Sequence, residues 1–326
     1  MDLYEQPLHR HDFRAMGSAI SVWLRLDDAA LAVDLLRQAQ NFFAAVETRM
    51  TRFDPASELS QLNRHSGRWS PLSRPLWQVI QRALELAKAT DGLFDPTTLT
   101  AVVAAGYDRT FAAVQRTRSE HGATAEASTG CWDAVLCDPE RHALYLPAGI
   151  GLDLGGIAKG FTAEQVVNFL CQWGPCLVDA GGDLTAGDGP PGYPGWPVAI
   201  AMPTTTEMTD EDESPTALTL WLNNATLATS GTDYRWWLQA GQRLHHLIDP
   251  RTGRPAESDI VTASVLCADA CCAEAWATAT LVAGVTDGMA RLATRQLAGA
   301  VIDQNQQIHL SAAMHRYVAA DDIAIQ

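Results

Sequence analysis

Apolar and polar residues alternate through SAISVWLRL at 18–26, with Ile20, Val22, Leu24 and Leu26 on one face. A period of two marks a half-buried strand. The period then lengthens: Leu31, Leu35, Leu36, Phe42, Phe43 and Val46 supply the apolar side of a helix that Asp27 or Asp28 would cap and that runs to about Met50. Ser73 followed by Pro75 opens a second helix, with Leu76, Val79, Ile80 and Leu84 at helical spacing and Gly92 as its stop. Residues 110–130 are rich in Ala, Thr, Ser and Arg and have weak periodicity, which reads as a loop or a poorly packed helix. A third helix is expected after Gly160, ending at Gly174.

Beyond that point the pattern turns β-rich, with strands expected at 176–181, 196–202 and 217–224. Between the last two lies PTTTEMTDEDESPT at 203–216, an acidic, Pro-bounded insert expected as a solvated surface loop. A strand at 261–267 runs into a helix near 270–283, and Thr286 or Asp287 should cap one more. AGAVIDQNQQIHLS at 298–311 reads as a closing hairpin. Strands and helices intermix without a regular βαβ period, which predicts an α+β domain rather than a doubly wound sheet.

Composition narrows the partners. The chain has 326 residues, of which 47% are apolar, and 38 acidic against 23 basic side chains give a formal charge of −15. Such a surface repels nucleic acid and anionic membranes. It leaves room for a small phosphorylated ligand, because backbone N–H groups, one Lys and a divalent cation can reverse the field locally. MDLYEQPLHRHDF lacks the basic head and apolar run of an export signal, and the apolar stretches stop short of a membrane span. A soluble, cytoplasmic protein is the expectation. The seven Cys residues follow no framework spacing and read as reduced thiols. Cys267, Cys271 and Cys272 lie close together, but no His or Cys partner recurs at zinc spacing, so core or helix-facing thiols are expected.

Four segments place Gly, Asp, Thr or His where a plain core would not. In LDLGGIAKG at 152–160 an extended run meets paired glycines, then Lys159 and Gly160 at a helix start. That arrangement suits close approach of a phosphate, and equally a strand-to-helix turn. It has neither the Walker spacing nor that of the dinucleotide fingerprint. LVDAGGDLTAGD at 177–188 places two more glycines before Asp183, a weak signal on its own. LATSGTDYRWW at 227–237 and HHLIDPRTGRP at 245–255 bring Ser230, His246 and Asp249, but without the GxSxG elbow of a hydrolase. In AEAWATATLVAG at 273–284, Glu274 and Thr278 are four apart and share a helix face, where a carboxylate and a hydroxyl could hold a hard cation.

Taken in order, these segments resemble the ApbE family of FAD:protein FMN transferases. The resemblance runs from Met16 to Gly284 and includes MGS at 16–18, MTRFDPASELSQLN at 50–63, DGLFDPTTLT at 91–100, LDLGGIAKGF, the GGD turn, ATSG and HLIDPRTGRP. It implies a single ApbE-like domain over 1–326 with mixed or antiparallel sheets and packed helices. It implies flavin and adenine contacts at Met16, Phe53, Leu93, Phe94, Asp95, Asp153, Lys159 and Ile248, with Lys159 toward the pyrophosphate. It implies magnesium at Gly156, Glu274 and Thr278, through a backbone carbonyl and two side chains. The implied reaction is attack by a Thr hydroxyl of an acceptor protein on the FMN-side phosphorus of FAD, releasing AMP, with His246 as base. Two departures stand out. Glu274 occupies a position where the family usually has Asp, one methylene shorter. Many members carry an export signal and lipid anchor, which this sequence does not show, so its acceptor is expected in the cytoplasm. A magnesium-dependent FAD pyrophosphatase giving FMN and AMP, and a flavin-binding protein without turnover, remain alternatives.

Overall fold

The alternation at 18–26 forms the strand Ser18–Arg25, which buries Ile20, Val22 and Leu24 and leaves the residues between them partly exposed. Its antiparallel partner is Leu8–Ala15, joined through a turn at Met16 and Gly17, both at positive φ. That first strand has no aliphatic stripe: its half-buried side carries His9, His11 and Phe13, which is why hydrophobic periodicity does not announce it. The computed structural model describes residues 6–115, 130–203 and 215–319. The tip of the acidic insert, 204–214, and residues 116–129 of the 110–130 segment lie outside these. The described start of that segment is a short helix, Phe111–Gln115.

Eight strands make one sheet, in the order Leu8–Ala15, Ser18–Arg25, Cys176–Ala180, Leu184–Ala186, Ala225–Gly231, Ile260–Cys267, Ala298–Asp303 and Ile308–Leu310. Every pairing in it is antiparallel. The protein is therefore α+β, as the irregular alternation of elements implies. Trp196–Ala201 and Thr216–Leu222 pair as a separate hairpin, whose inward residues Trp196, Val198, Leu218 and Leu220 build a core with Leu227, Leu266 and Ile302 of the large sheet.

The helices follow their sequence signals closely. Ala29–Met50 is capped by Asp28, whose carboxylate accepts from Leu31 N, and it lays Leu35, Leu36, Ala39 and Phe43 on the first strands. Arg74–Ala89 follows Ser73, although that hydroxyl donates to Glu58 instead of capping. The third helix is Ala158–Leu170, starting two residues before Gly160 and ending ahead of the Gly174–Pro175 pair. Ala270–Ala283 is apolar nearly all round, as a helix enclosed on most sides must be. The last helix, Val285–Arg295, differs from expectation: its first turn is held by Asp259, which accepts from Val285 N, and not by Thr286 or Asp287. The seven cysteines are all free thiols. Among the described residues no helix is long and apolar enough to cross a membrane.

Phe43 is fully buried between the long helix and the first hairpin, edge-on to Phe13. Phe43→Ala is expected to lower unfolding free energy by about 3–5 kcal/mol, read as a shift in the urea midpoint.

Candidate active site

Two buried carboxylates converge on one ammonium. Lys159, in the first turn of the Ala158–Leu170 helix, donates from Nζ to Asp183 Oδ2 and to Glu274 Oε1, both at 2.7 Å. Glu274 Oε2 accepts from Gly160 N at 2.9 Å, and Asp183 Oδ1 accepts from Thr229 N at 2.9 Å. Gly160 is needed for this approach, because a Cβ there would lie 2.7 Å from Glu274 Oε2. Burial disfavours the ammonium, but Asp183 and Glu274 outweigh it and hold Lys159 above the ordinary lysine range. Burial raises Glu274 to about 7, with Asp183 adding to the rise and Lys159 opposing it. One turn beyond Glu274 on the Ala270–Ala283 helix, Thr278 Oγ1 shares a hydrogen bond of 2.9 Å with Ser230 Oγ.

A second group gathers on His246. Its Nδ1 lies 3.4 Å from the Arg235 carbonyl oxygen, which can only accept, so Nδ1 carries the proton and Nε2 keeps its lone pair. Tyr107 meets the imidazole edge-on at 6.4 Å and tilts against Phe53 and Trp237. Burial, followed by the charges of Arg235, His245 and Lys159, pushes His246 down to about 3. Arg235 links the two groups: its carbonyl meets His246, and its Nη2 donates to Ser18 Oγ, which packs against Gly181, two residues before Asp183.

The other expected residues differ in burial and in the partners they meet. Phe53 is partly exposed, with the Arg52 guanidinium 4.2 Å above its ring and 4.6 Å from that of Tyr107. Asp153 pairs with Arg52 at 3.0 Å and accepts from Gly155 N at 2.8 Å. Asp153 N donates to Pro96 O, which brings the Asp95 loop alongside. Ile248 is buried in the apolar cluster that contains Tyr107 and Trp237. Met16 sits at φ 52° in the first turn, with Thr162 Oγ1 3.9 Å from its sulfur. Gly156 is exposed, and a Cβ on it would lie 3.4 Å from Phe94 Cε2. Leu93 and Phe94 are buried in the core. Asp95 is turned inward: Oδ1 accepts from Thr97 N and Oγ1, and burial raises its carboxyl despite those bonds. Two open clefts of about 440 and 550 Å³ flank the Glu257–Asp259 segment and contain none of these residues.

Motif reading assigns no role to four participants: Asp183, Arg52, Tyr107 and Arg235. Asp183 is marked in the sequence, directly after the second glycine pair, but only as a weak signal on its own. The other three stand beside recognised positions and have no local signature of their own. The assembly offers cations for an anionic group, an aromatic and apolar wall for a planar one, and a neutral imidazole with a free lone pair.

Comparison with known proteins identifies the family of this chain. The model of the ApbE family matches residues 16–302. A protein of Haemophilus influenzae named FAD:protein FMN transferase is 31% identical over 283 residues, covering 83% of this chain and 79% of its own. One of the same name from Treponema pallidum is 34% identical over 258 residues, covering 72% of this chain and 67% of its own. Among solved structures, the Thermotoga maritima ApbE protein superposes with a TM-score of 0.80 at 20% identity, covering 96% of this chain and 100% of its own. The Vibrio cholerae flavin transferase ApbE superposes at 0.78 with 24% identity, covering 95% of this chain and 100% of its own. These low identities speak for the fold, while the family model spans most of the sequence. This chain belongs to the ApbE family.

Proposed function

We propose that this protein transfers the FMN half of FAD to a Thr hydroxyl of an acceptor protein and releases AMP. Family membership and the names of its relatives support flavin transfer in general. The observation that carries the specific reading is His246, neutral and with Nε2 free, in the same site as the Lys159–Asp183–Glu274 cluster.

In this reaction the acceptor Thr oxygen bonds to the FMN-side phosphorus. The bridging P–O bond breaks, and its electron pair leaves with AMP. The Thr proton passes to His246 Nε2, since a neutral hydroxyl is a poor nucleophile without a base. Phe53 and Ile248, together with Met16, Leu93 and Phe94, supply apolar contact to the ring systems. Asp95, Asp153 and Lys159 supply polar contacts.

Magnesium is part of the proposal. Glu274 carboxylate and Thr278 hydroxyl stand one turn apart on one helix, and together with the Gly156 carbonyl they would offer oxygen donors throughout. That set fits a hard divalent cation. When bound, the ion would neutralise pyrophosphate charge. Glu274→Ala is expected to abolish the response of activity to added magnesium. Retained metal dependence in that variant would remove Glu274 from the ligand set.

The deciding experiment incubates the protein with FAD and magnesium, with and without an acceptor bearing an exposed Thr, and follows AMP and covalent flavin by mass. AMP formed only with acceptor, together with flavin on the acceptor, is the expected result. AMP formed equally without acceptor would assign a pyrophosphatase. Bound FAD without AMP in either case would refute catalysis.

A further inference from the structure

Three cations border the site, and two of them are already neutralised. Arg52 pairs with Asp153, and Lys159 lies between Asp183 and Glu274. Arg235 differs. Among the described residues it makes no ion pair, and its Nη2 donates at 2.8 Å to an uncharged partner, Ser18 Oγ. Its side chain is only half exposed to solvent. A partly desolvated guanidinium with no carboxylate is unfavourable until an anion joins it.

Its location specifies which anion. Ser18 opens the second strand immediately after the Met16–Gly17 turn and packs on the glycine turn that precedes Asp183: a Cβ on Gly181 would lie 2.7 Å from Ser18 Oγ. The guanidinium is thereby anchored at the turn leading to Asp183, the partner of Lys159. The carbonyl of the same residue orients His246. One residue thus reaches both the imidazole and the glycine turn.

We propose that Arg235 is a phosphate-binding residue of this site, holding the flavin diphosphate beside His246. A planar guanidinium can grip two phosphate oxygens at once, whereas Lys159 has committed two of its three N–H groups to carboxylates. In a chain of net charge −15, an unneutralised cation inside the site is what admits a polyanionic ligand. This assignment rests on the flavin reading of the site and goes beyond it, because the family motifs direct only Lys159 toward phosphate.

The test compares FAD, riboflavin and inorganic pyrophosphate on the wild type, Arg235→Ala and Arg235→Gln, using flavin fluorescence for binding and pyrophosphate as competitor. Arg235→Ala is expected to weaken FAD binding by about tenfold or more, the loss of one charge-assisted contact. Riboflavin affinity should be unchanged and pyrophosphate competition lost. Arg235→Gln keeps an N–H for Ser18 and carries the same test if the alanine variant does not fold. Unchanged FAD affinity, or equal weakening of FAD and riboflavin, would overturn the assignment, the latter marking a structural role. Failure of the wild type to bind FAD at all would instead overturn the flavin reading.

Discussion

Lys159→Met is expected to cost about 3–5 kcal/mol of unfolding free energy, because it strands two buried carboxylates that now share one ammonium. Methionine reproduces the length of the side chain, so the loss reports charge and hydrogen bonding more than volume. Lys159, Asp183 and Glu274 side chains are 14%, 8% and 4% exposed, so solvent can compensate little. Each carboxylate would keep its backbone N–H, from Thr229 or Gly160, and lose the one cation it has among the described residues. Urea unfolding monitored by far-UV circular dichroism measures the effect. Adding Asp183→Asn and Glu274→Gln to Lys159→Met should recover much of it, since amides carry no charge to strand. If the single variant unfolds at the wild-type midpoint, the three groups are not the buried cluster described above.

His246→Ala is expected to reduce turnover by about 10²–10⁴-fold, the usual contribution of a positioned base, while FAD binding changes little. The ring packs edge-on to Tyr107, so a small loss of stability is also expected. The two effects separate when single-turnover AMP release and equilibrium flavin binding are measured on the same preparation. Full turnover in the variant would exclude His246 from the reaction. The pH dependence is specific as well. Burial and the neighbouring positive charges hold the ring near a pKa of about 3 in the ligand-free protein, so its lone pair stays available far below the ordinary histidine range. The acid limb of kcat/KM assigned to His246 should accordingly fall well below pH 6. Stability shows the opposite face of the same shift. Above pH about 6.5 the ring is neutral whether folded or unfolded, and it adds no pH dependence. Below that, the unfolded chain takes up a proton that the folded protein refuses. Stability therefore declines as pH falls from about 6.5 toward 3, and His246→Ala should flatten that slope.

Legibility from sequence followed the range of the interactions. The Ala29–Met50 helix, its Asp28 cap and the Ser18–Arg25 strand were readable because cap, period and burial all lie within a few residues of one another. The Leu8–Ala15 strand was not, because its inward side carries His9 and His11, whose partners, the Leu26 carbonyl and Gln40, come from elsewhere in the chain. The start of the Val285–Arg295 helix was misread for a similar reason: Asp259, a distant residue, supplies the bond that a local Thr or Asp would have made.

The site divides in the same way. Ordered motifs named the family, and the positions of Lys159, His246, Glu274 and Thr278 follow from local spacing and from that resemblance. Spacing could not say that Glu274 reaches across 115 positions to Lys159, or that Asp183 completes the cluster. Nor could it say that the Arg235 carbonyl orients His246 while its guanidinium bonds Ser18, 217 positions away. Such contacts have no period and no fixed spacing. They arise only when an antiparallel sheet brings chain segments from opposite ends of the sequence together, and burial then makes each charge depend on the partner it finds there. The chain's own order of residues thus specified which chemical groups are available. Folding decided their neighbours, and through those neighbours which nitrogen of His246 is free and which cation is left to receive a phosphate.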